Sequence, residues 1–156
     1  MKLCFYQTDI GKVEIAEDRG SITNLYFESD VTPQNVEICE TETIKEASRQ
    51  LNAYLSGDLE EFSLPLAPSG TDFMRTVWKS LCEVPYGKTA SYKDIATAVG
   101  NPKAVRAVGM ANNKNPIPIF IPCHRIIGSD GKLTGYRGGL ALKKKLLELE
   151  KQNRDV

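Results

Sequence analysis

One pair of neighbouring residues in the sequence could carry out chemistry: Cys123 followed by His124, the only histidine among 156 residues. A thiol is a strong nucleophile only as the thiolate, and imidazole is the usual side chain that accepts its proton near neutral pH. The pair therefore predicts a cysteine nucleophile with a histidine base. Because neighbouring side chains usually diverge, we expect a water molecule or a bend in the chain to link them.

An isolated cysteine also has a simpler explanation, because free cysteine is often buried and inert. The other three, Cys4, Cys39 and Cys82, lie far apart with no C-x-x-C spacing. The sequence therefore predicts neither a zinc knuckle nor a disulfide framework. With a single histidine, we expect no metal site.

The net charge of zero conceals two halves of opposite sign. Residues 1–69 hold 5 Lys and Arg against 13 Asp and Glu, a net charge of −8, whereas residues 70–156 hold 15 against 7, a net charge of +8. A small basic domain is typical of proteins that bind a polyanion such as nucleic acid, although solvated helix faces also explain a charge skew. The proline-containing stretch 56–69 ends at the charge boundary, so we expect two domains, 1–69 and 70–156.

The acidic half alternates with the period of a β-strand. Apolar residues alternate with polar ones in three short runs, Leu3 with Phe5, Val13 with Ile15, and Ile22 with Leu25 and Phe27, which turn signals at 9–12 and 18–21 separate. Between Thr41 and Leu55 the apolar residues recur at helical spacing instead. We therefore predict an α/β domain in which one helix covers an antiparallel meander.

The basic half is mostly helical in pattern. Ser91 and Asp94 form a capping box at the start of one helix, and Gly100 ends that helix. Pro102 is expected at the first position of the next. The predicted helices are these: 71–81, 91–100, one that begins at 101–102, and one that begins near Gly139. In the last helix we expect the lysines of 143–145 to face mostly outward.

The two middle helices, joined by a Gly-Asn turn, form a helix-turn-helix candidate. In the second helix Lys103 and Arg106 fall on an outer face, opposite apolar positions. Small residues at Ala107 and Gly109 would let its backbone approach another surface closely. After it, the proline-rich stretch 116–122 reads as an extended apolar segment that delivers Cys123 at its end. Residues 128–136 read as a short turn or wing.

These motifs, in this order, resemble the O6-alkylguanine-DNA alkyltransferases, also called methylated-DNA protein-cysteine methyltransferases. The matching blocks are Pro85–Gly87, Ser91–Tyr92, Asn101–Pro102, Arg106–Gly109, Asn115–Pro116, Ile121–Arg125, Gly135–Tyr136 and Gly138–Gly139. Residues 1–69 carry no comparable motif, but their strand-strand-strand-helix order is consistent with the ribonuclease H-like N-terminal domain of this family. The resemblance implies that this domain precedes a mostly α, winged helix-turn-helix-like domain.

The resemblance implies a role for each residue of the reactive centre. Cys123 would be the alkyl acceptor, His124 the base acting through a water, and Glu150 the carboxylate that orients the imidazole. Asn115 would brace the turn around the cysteine. Tyr92 would crowd the target phosphate and donate a proton to the departing guanine. The product is a thioether, so each molecule acts once and needs neither cofactor nor metal.

The resemblance also implies how DNA is held. Arg106 would enter the duplex in place of an extruded nucleotide, with its helix in the minor groove. Tyr136 and the wing backbone would line the base pocket. Arg137 stands where a small residue is common in the family, so it would narrow the pocket or contact phosphate. The other positions expected to contact DNA or substrate are Ser91, Lys103, Ala107, Gly109 and Arg125.

The implied partner is double-stranded DNA that contains O6-alkylguanine, with O4-alkylthymine left open as a further substrate. We expect a monomer in solution, and cooperative binding along DNA stays open. The sequence has no run of roughly 18 apolar residues and no signal-peptide block near Met1. We therefore expect a soluble protein with no membrane partner, located in the cytoplasm at the nucleoid of a prokaryote or in the nucleus of a eukaryote.

Three other functions remain open at this point. A non-catalytic alkyltransferase-like protein would bind the lesion without repairing it, although such relatives lack the reactive cysteine that Cys123 supplies. A helix-turn-helix regulator would use that cysteine only for structure. A thiol hydrolase would need an oxyanion site in addition.

Overall fold

A computed structural model describes residues 1–154 of the chain, and the side chains of residues 1–153. The chain divides into two compact units, an N-terminal unit of Met1–Ser69 and a C-terminal unit that begins at Gly70. Within residues 1–154, no helix is both long enough and apolar enough to cross a membrane.

The N-terminal unit is a four-stranded sheet with one helix. Its elements are β1 (Lys2–Thr8), β2 (Gly11–Asp18), β3 (Ser21–Phe27), β4 (Glu37–Ile38) and α1 (Glu42–Leu55). The strand order is β3-β2-β1-β4, with β1, β2 and β3 antiparallel and β4 parallel to β1. The predicted α/β meander with a helix is confirmed. The sequence did not predict β4, because two exposed residues are too few to show a period.

Apolar burial and local capping explain why this unit folds as it does. Val13 and Ile15 on β2 are fully buried, and so are Ile44 and Leu51 on α1. The helix therefore packs its apolar stripe on one face of the sheet. Thr41 begins α1, since its hydroxyl oxygen accepts a hydrogen bond from the Ile44 backbone N–H at 3.1 Å.

The C-terminal unit is mostly helical, as predicted. Its elements are α2 (Asp72–Leu81), β5 (Ala90–Ser91), α3 (Tyr92–Ala98), α4 (Val105–Asn113), a single 3₁₀ turn (Cys123–Arg125), β6 (Ile126–Ile127) and α5 (Leu140–Arg154). The short strands β5 and β6 pair in parallel. This pairing places the start of α3 beside the chain that leaves the 3₁₀ turn.

Helix α4 begins later than predicted. Pro102 is not its first residue, because the Ala104 backbone N–H donates to the Asn101 carbonyl at 2.9 Å and closes a turn there. The fixed φ of proline suits the second position of such a turn as well as the first turn of a helix. The helix then begins at Val105 without a side-chain cap.

One buried polar contact joins two helices of the C-terminal unit, and one lysine is buried in a third. The indole N–H of Trp78 on α2 donates to the Ala111 carbonyl on α4 at 2.8 Å, and Trp78 is 2% exposed. On α5, Lys143 is fully buried, which corrects the expectation that it faces outward. Lys144 and Lys145 are exposed, as predicted.

The stretch between α4 and Cys123 is a tight turn and not the extended segment that its prolines predicted. The Ile121 backbone N–H donates to the Ile117 carbonyl at 2.9 Å, and Ile119 has a φ of 75°. A β-branched residue rarely adopts this left-handed conformation, which costs about 1–3 kcal/mol. The burial of Ile117, Ile119 and Ile121 holds the turn in place.

Candidate active site

Cys123 opens the 3₁₀ turn and lies in the interior. The residue is 4% exposed, and it follows the turn that Ile119 strains. Asn115 holds that turn from inside, because its Nδ2 donates to the Ile121 carbonyl at 2.8 Å and its Oδ1 accepts from the Ile117 backbone N–H at 2.9 Å. The Asn115 side chain also lowers the pKa of the Cys123 thiol. One amide therefore braces the turn and favours ionisation of the sulfur.

A buried ionic cluster adjoins the cysteine. Glu150 reaches it from α5, and its Oε2 lies 2.6 Å from Nε2 of His124. Arg125 donates to both carboxylate oxygens, from Nε to Oε1 at 2.9 Å and from Nη2 to Oε2 at 3.2 Å. The Gly87 backbone N–H donates to Oε1 at 3.1 Å. The side chains of His124, Arg125 and Glu150 are 0%, 8% and 1% exposed.

The charges in this cluster are set by burial and by Arg125. Burial alone would raise the pKa of Glu150, but the hydrogen bonds from His124 and Arg125 and the positive charge of Arg125 outweigh it and lower the pKa to about 2. Burial lowers the pKa of His124 and outweighs the attraction of Glu150, while the positive charge of Arg125 lowers it further. Arg125 already balances the carboxylate, so a second buried cation would be uncompensated. We infer a neutral imidazole at pH 7.

The geometry also fixes which nitrogen of His124 can take a proton. The carboxylate of Glu150 accepts the hydrogen bond from Nε2–H, so the neutral ring carries its lone pair on Nδ1. A buried neutral imidazole with a fixed tautomer is suited to act as a general base.

Arg125 belongs to this cluster and not to a DNA-binding surface. It is 7% exposed, and its remaining donor, Nη1, bonds the Val84 carbonyl at 2.7 Å. The expectation that Arg125 contacts DNA or substrate is therefore wrong. Its guanidinium also lies 5.7 Å from the ring centre of Tyr86.

The resting state of Cys123 differs from the thiolate that its neighbour His124 suggested. Burial raises the pKa of its thiol to about 11, although Asn115, Arg137 and Lys143 each lower it. The sulfur is therefore protonated at neutral pH, and it becomes a nucleophile only when a base removes its proton.

Lys143 is a component of the site that the sequence pattern missed. Its Nζ donates to the Ile126 carbonyl at 2.6 Å and to the Thr134 carbonyl at 3.2 Å, so it ties α5 to β6 and to the wing. Its positive charge favours the thiolate of Cys123. A signal was present, because Lys143 lies seven residues before Glu150 and so on the same helical face.

The wing is tied to α3 and to the turn below the cysteine. The hydroxyls of Tyr92 and Thr134 hydrogen-bond each other, and Nη1 of the exposed Arg137 donates to the Asn115 carbonyl at 2.9 Å. Tyr136, between these contacts, is half-buried. The structure thus brings Tyr92, the wing and the cysteine loop together.

The outer face of α4 is open. Lys103, before the helix, and Arg106 and Ala107 within it are exposed. Gly109 faces the ring of Tyr92, and a Cβ atom added there would lie 3.8 Å from it, an ordinary contact. Ser91 caps α3, since its hydroxyl oxygen accepts from the Asp94 backbone N–H at 3.0 Å. No three His, Cys, Asp or Glu residues among the described part of the chain could together hold a metal ion.

We predict that Glu150→Gln lowers the free energy of unfolding at pH 7 by about 3 kcal/mol, since it leaves Arg125 buried without its counter-charge. Folding lowers the pKa of Glu150 from 4.5 to about 2, so its stabilisation is complete above pH 4.5 and is lost as the pH falls towards 2. The difference between variant and parent should therefore shrink below pH 4.5. Urea unfolding at pH 7, 5 and 4 measures it.

The control for this prediction is Glu148→Gln, an exposed carboxylate on the same helix. It should change the stability by less than about 0.5 kcal/mol at each pH. Equal effects of the two substitutions would contradict the account of the cluster.

The chain matches two family models. These are "6-O-methylguanine DNA methyltransferase, ribonuclease-like domain" over residues 1–68 and "6-O-methylguanine DNA methyltransferase, DNA binding domain" over residues 72–152. A methylated-DNA–protein-cysteine methyltransferase from Methanosarcina acetivorans is 46% identical over 155 residues, covering 96% of this chain and 98% of that protein. The constitutive protein of the same name from Bacillus subtilis is 47% identical over 152 residues, covering 93% and 92%.

A solved structure agrees with these relatives. The Mycobacterium tuberculosis OGT, crystallised in complex with DNA, is 44% identical, superposes with a TM-score of 0.93, and the match covers 98% of this chain and 94% of that one. The family that the cysteine motif and its neighbours predicted is thereby confirmed. The chain belongs to the 6-O-methylguanine DNA methyltransferase family.

Proposed function

We propose that the protein repairs DNA by direct reversal, as a methylated-DNA–[protein]-cysteine S-methyltransferase. It transfers an alkyl group, such as methyl, from O6 of guanine in DNA to Sγ of Cys123. The observation that carries this proposal is a buried cysteine followed by a buried His124 whose Nε2 lies 2.6 Å from the carboxylate of Glu150. The names of the relatives in Methanosarcina and Bacillus support it.

The first step removes the thiol proton. His124 takes it on Nδ1 through a bridging water, and the imidazolium that forms is stabilised by Glu150 at 2.6 Å. The thiolate that remains is stabilised by the Asn115 side chain and by the positive charges of Lys143 and Arg137. The groups that stabilise the imidazolium and the thiolate are thus already in place when the proton is transferred.

The second step transfers the alkyl group. Sγ attacks the saturated carbon on O6 in line, the sulfur–carbon bond forms, and the carbon–oxygen bond breaks with its electron pair left on guanine. A proton delivered to the base completes the balance, so that a thiol and an O6-alkylguanine become a thioether and guanine. Tyr92 is the proposed donor, and its hydroxyl must first leave Thr134. His124 then releases the thiol proton to water, and water returns a proton to the Tyr92 phenolate. A thioether is not cleaved by these residues, so each molecule acts once.

Access to the sulfur requires a local opening. Cys123 is 4% exposed. Two hydrogen bonds, Tyr92–Thr134 and Arg137–Asn115, hold the wing and the residue after it against α3 and the cysteine turn. These contacts join a segment without helix or strand to α3 and to the cysteine turn, so we propose that the wing is the element that moves when a base enters. Tyr136 and the wing backbone then line the base pocket, and Arg137 sets its width or contacts phosphate.

DNA is proposed to bind along the exposed face of α4 in the minor groove. The C-terminal unit carries the net charge of +8, with Lys103 and Arg106 on this face. Arg106 fills the space that the extruded nucleotide leaves, which offsets a cost of a few kcal/mol in stacking and pairing. Ala107 and Gly109 permit close approach of the backbone, and Ser91 at the cap of α3 contacts the adjoining strand.

The proposal extends to domain roles, assembly and compartment. Residues 1–69 form the ribonuclease H-like unit, and residues 70–156 carry both DNA binding and the alkyl acceptor. The partner is double-stranded DNA with O6-alkylguanine. We expect a monomer in solution, with cooperative binding along DNA as the alternative, in the compartment that holds the DNA.

We predict that incubation with duplex DNA containing O6-methylguanine adds one methyl mass to the peptide that contains Cys123 and restores one guanine per protein. The thiol is the nucleophile, so Cys123→Ala should abolish transfer and leave DNA affinity within about twofold. Mass spectrometry of the digested protein and chromatography of the DNA bases measure both products.

Cys82→Ala is the matched control for this experiment, because Cys82 is an exposed cysteine outside the cluster. It should react like the parent. Folded protein without the adduct would contradict repair and favour lesion binding alone.

We predict that Arg106→Ala slows repair of duplex DNA by on the order of tenfold or more, yet changes the reaction with free O6-methylguanine base less than about twofold. Only the duplex demands extrusion of the base. Single-turnover rates with the two substrates measure the difference. Lys103→Ala serves as control, since loss of a phosphate contact should weaken DNA binding without slowing the bound complex. Equal loss on both substrates would reject the role of Arg106.

A further inference from the structure

Asn112 presents a buried hydrogen-bond acceptor beside the nucleophile. It lies in the last turn of α4 and is 2% exposed. Its Nδ2 donates a long hydrogen bond of 3.5 Å to the carbonyl oxygen of Cys123, which orients the amide nitrogen towards the cysteine backbone. The other branch of the amide, Oδ1, is sealed from solvent and meets no hydrogen-bond donor in the part of the chain that the structure describes.

A buried acceptor without a donor disfavours the folded state, and native proteins keep few of them. The proposed catalytic steps assign Asn112 no role, since Asn115 is the amide that braces the cysteine turn. A ligand that brings a hydrogen-bond donor to this position would satisfy the acceptor and so bind more tightly than one without the donor.

The chemistry of the substrate limits what that donor can be. Alkylation at O6 removes the hydrogen from N1 of guanine, so the 2-amino group is the only N–H donor that the base retains. O4-alkylthymine has lost the hydrogen on N3 and retains no N–H donor. An acceptor that the entering base reaches beside the cysteine backbone would therefore distinguish alkylated guanine from alkylated thymine.

We propose that Asn112 is a specificity-determining residue whose Oδ1 accepts a hydrogen bond from the 2-amino group of O6-alkylguanine when the base enters. The inference rests on the proposed alkyl transfer and adds that the protein prefers O6-alkylguanine to O4-alkylthymine. A purine with this amino group gains a bond that a base without it cannot make, so it is held better while Sγ of Cys123 reacts. O4-alkylthymine is consequently a poor substrate.

The test compares two duplexes that differ only in this amino group. One contains O6-methylguanine and the other O6-methylhypoxanthine, in which hydrogen replaces the 2-amino group. Single-turnover rates of Cys123 methylation are measured by mass spectrometry for the parent and for Asn112→Leu. Pairing and extrusion differ between the bases but not between the proteins, so comparing the two rate ratios isolates the contact.

We expect the parent to methylate Cys123 on the order of tenfold faster with O6-methylguanine than with O6-methylhypoxanthine, and Asn112→Leu to bring this ratio close to one. Asn113→Leu, the same change at the exposed neighbour, should keep the parental ratio. Asn112→Ala provides a smaller apolar side chain in case leucine prevents folding.

The outcomes separate this inference from the proposed function. Methylation of Cys123 with an unchanged ratio in the Asn112 variants would overturn the specificity role and leave alkyl transfer intact. Equal slowing on both substrates would also overturn it, since Asn112 would then only position the cysteine. A parental ratio of one overturns it whatever the variants do. Absence of any methylation in the parent would instead refute the proposed function.

Discussion

The interaction on which the site depends is the pairing of Glu150 with Arg125 in the protein interior. A buried carboxylate needs a counter-charge, and the guanidinium supplies one permanently through bonds at 2.9 and 3.2 Å. Burial lowers the pKa of His124, and the positive charge of Arg125 lowers it further, so the ring stays neutral although it lies 2.6 Å from the carboxylate. A neutral imidazole can take the thiol proton, whereas an imidazolium could not.

The rest of the C-terminal unit serves this pairing and the sulfur beside it. Helix α5 must extend to Glu150, the 3₁₀ turn must place Cys123, His124 and Arg125 in one bend, and the Asn115 turn must present the sulfur. Burial raises the pKa of the thiol to about 11 and keeps it protonated. A residue that can react only once is thereby protected from adventitious oxidants and electrophiles until a base occupies the site.

What the sequence could predict follows from how local each signal is. The capping box of Ser91 depends on residues three apart, and the structure contains it. The predicted start of α4 was wrong because a proline such as Pro102 fits a turn and the start of a helix equally well. Arg125 was assigned to the surface because its partner, Glu150, lies 25 residues away in the sequence. Lys143 was assigned to the surface because its partner, the Thr134 carbonyl, belongs to a loop without periodicity. Family resemblance supplied Glu150, which no local pattern singles out.

The protonation state of His124 decides whether this residue can act as the base for the Cys123 thiol. It can be measured without overlapping signals because the sequence has no other histidine. Nitrogen NMR of the labelled imidazole, followed from pH 8 to pH 5, distinguishes the neutral ring from the imidazolium. We expect a neutral ring with its proton on Nε2 to persist below pH 6.5, the ordinary pKa of histidine. An imidazolium at pH 7 in the folded protein would mean that His124 cannot accept the thiol proton.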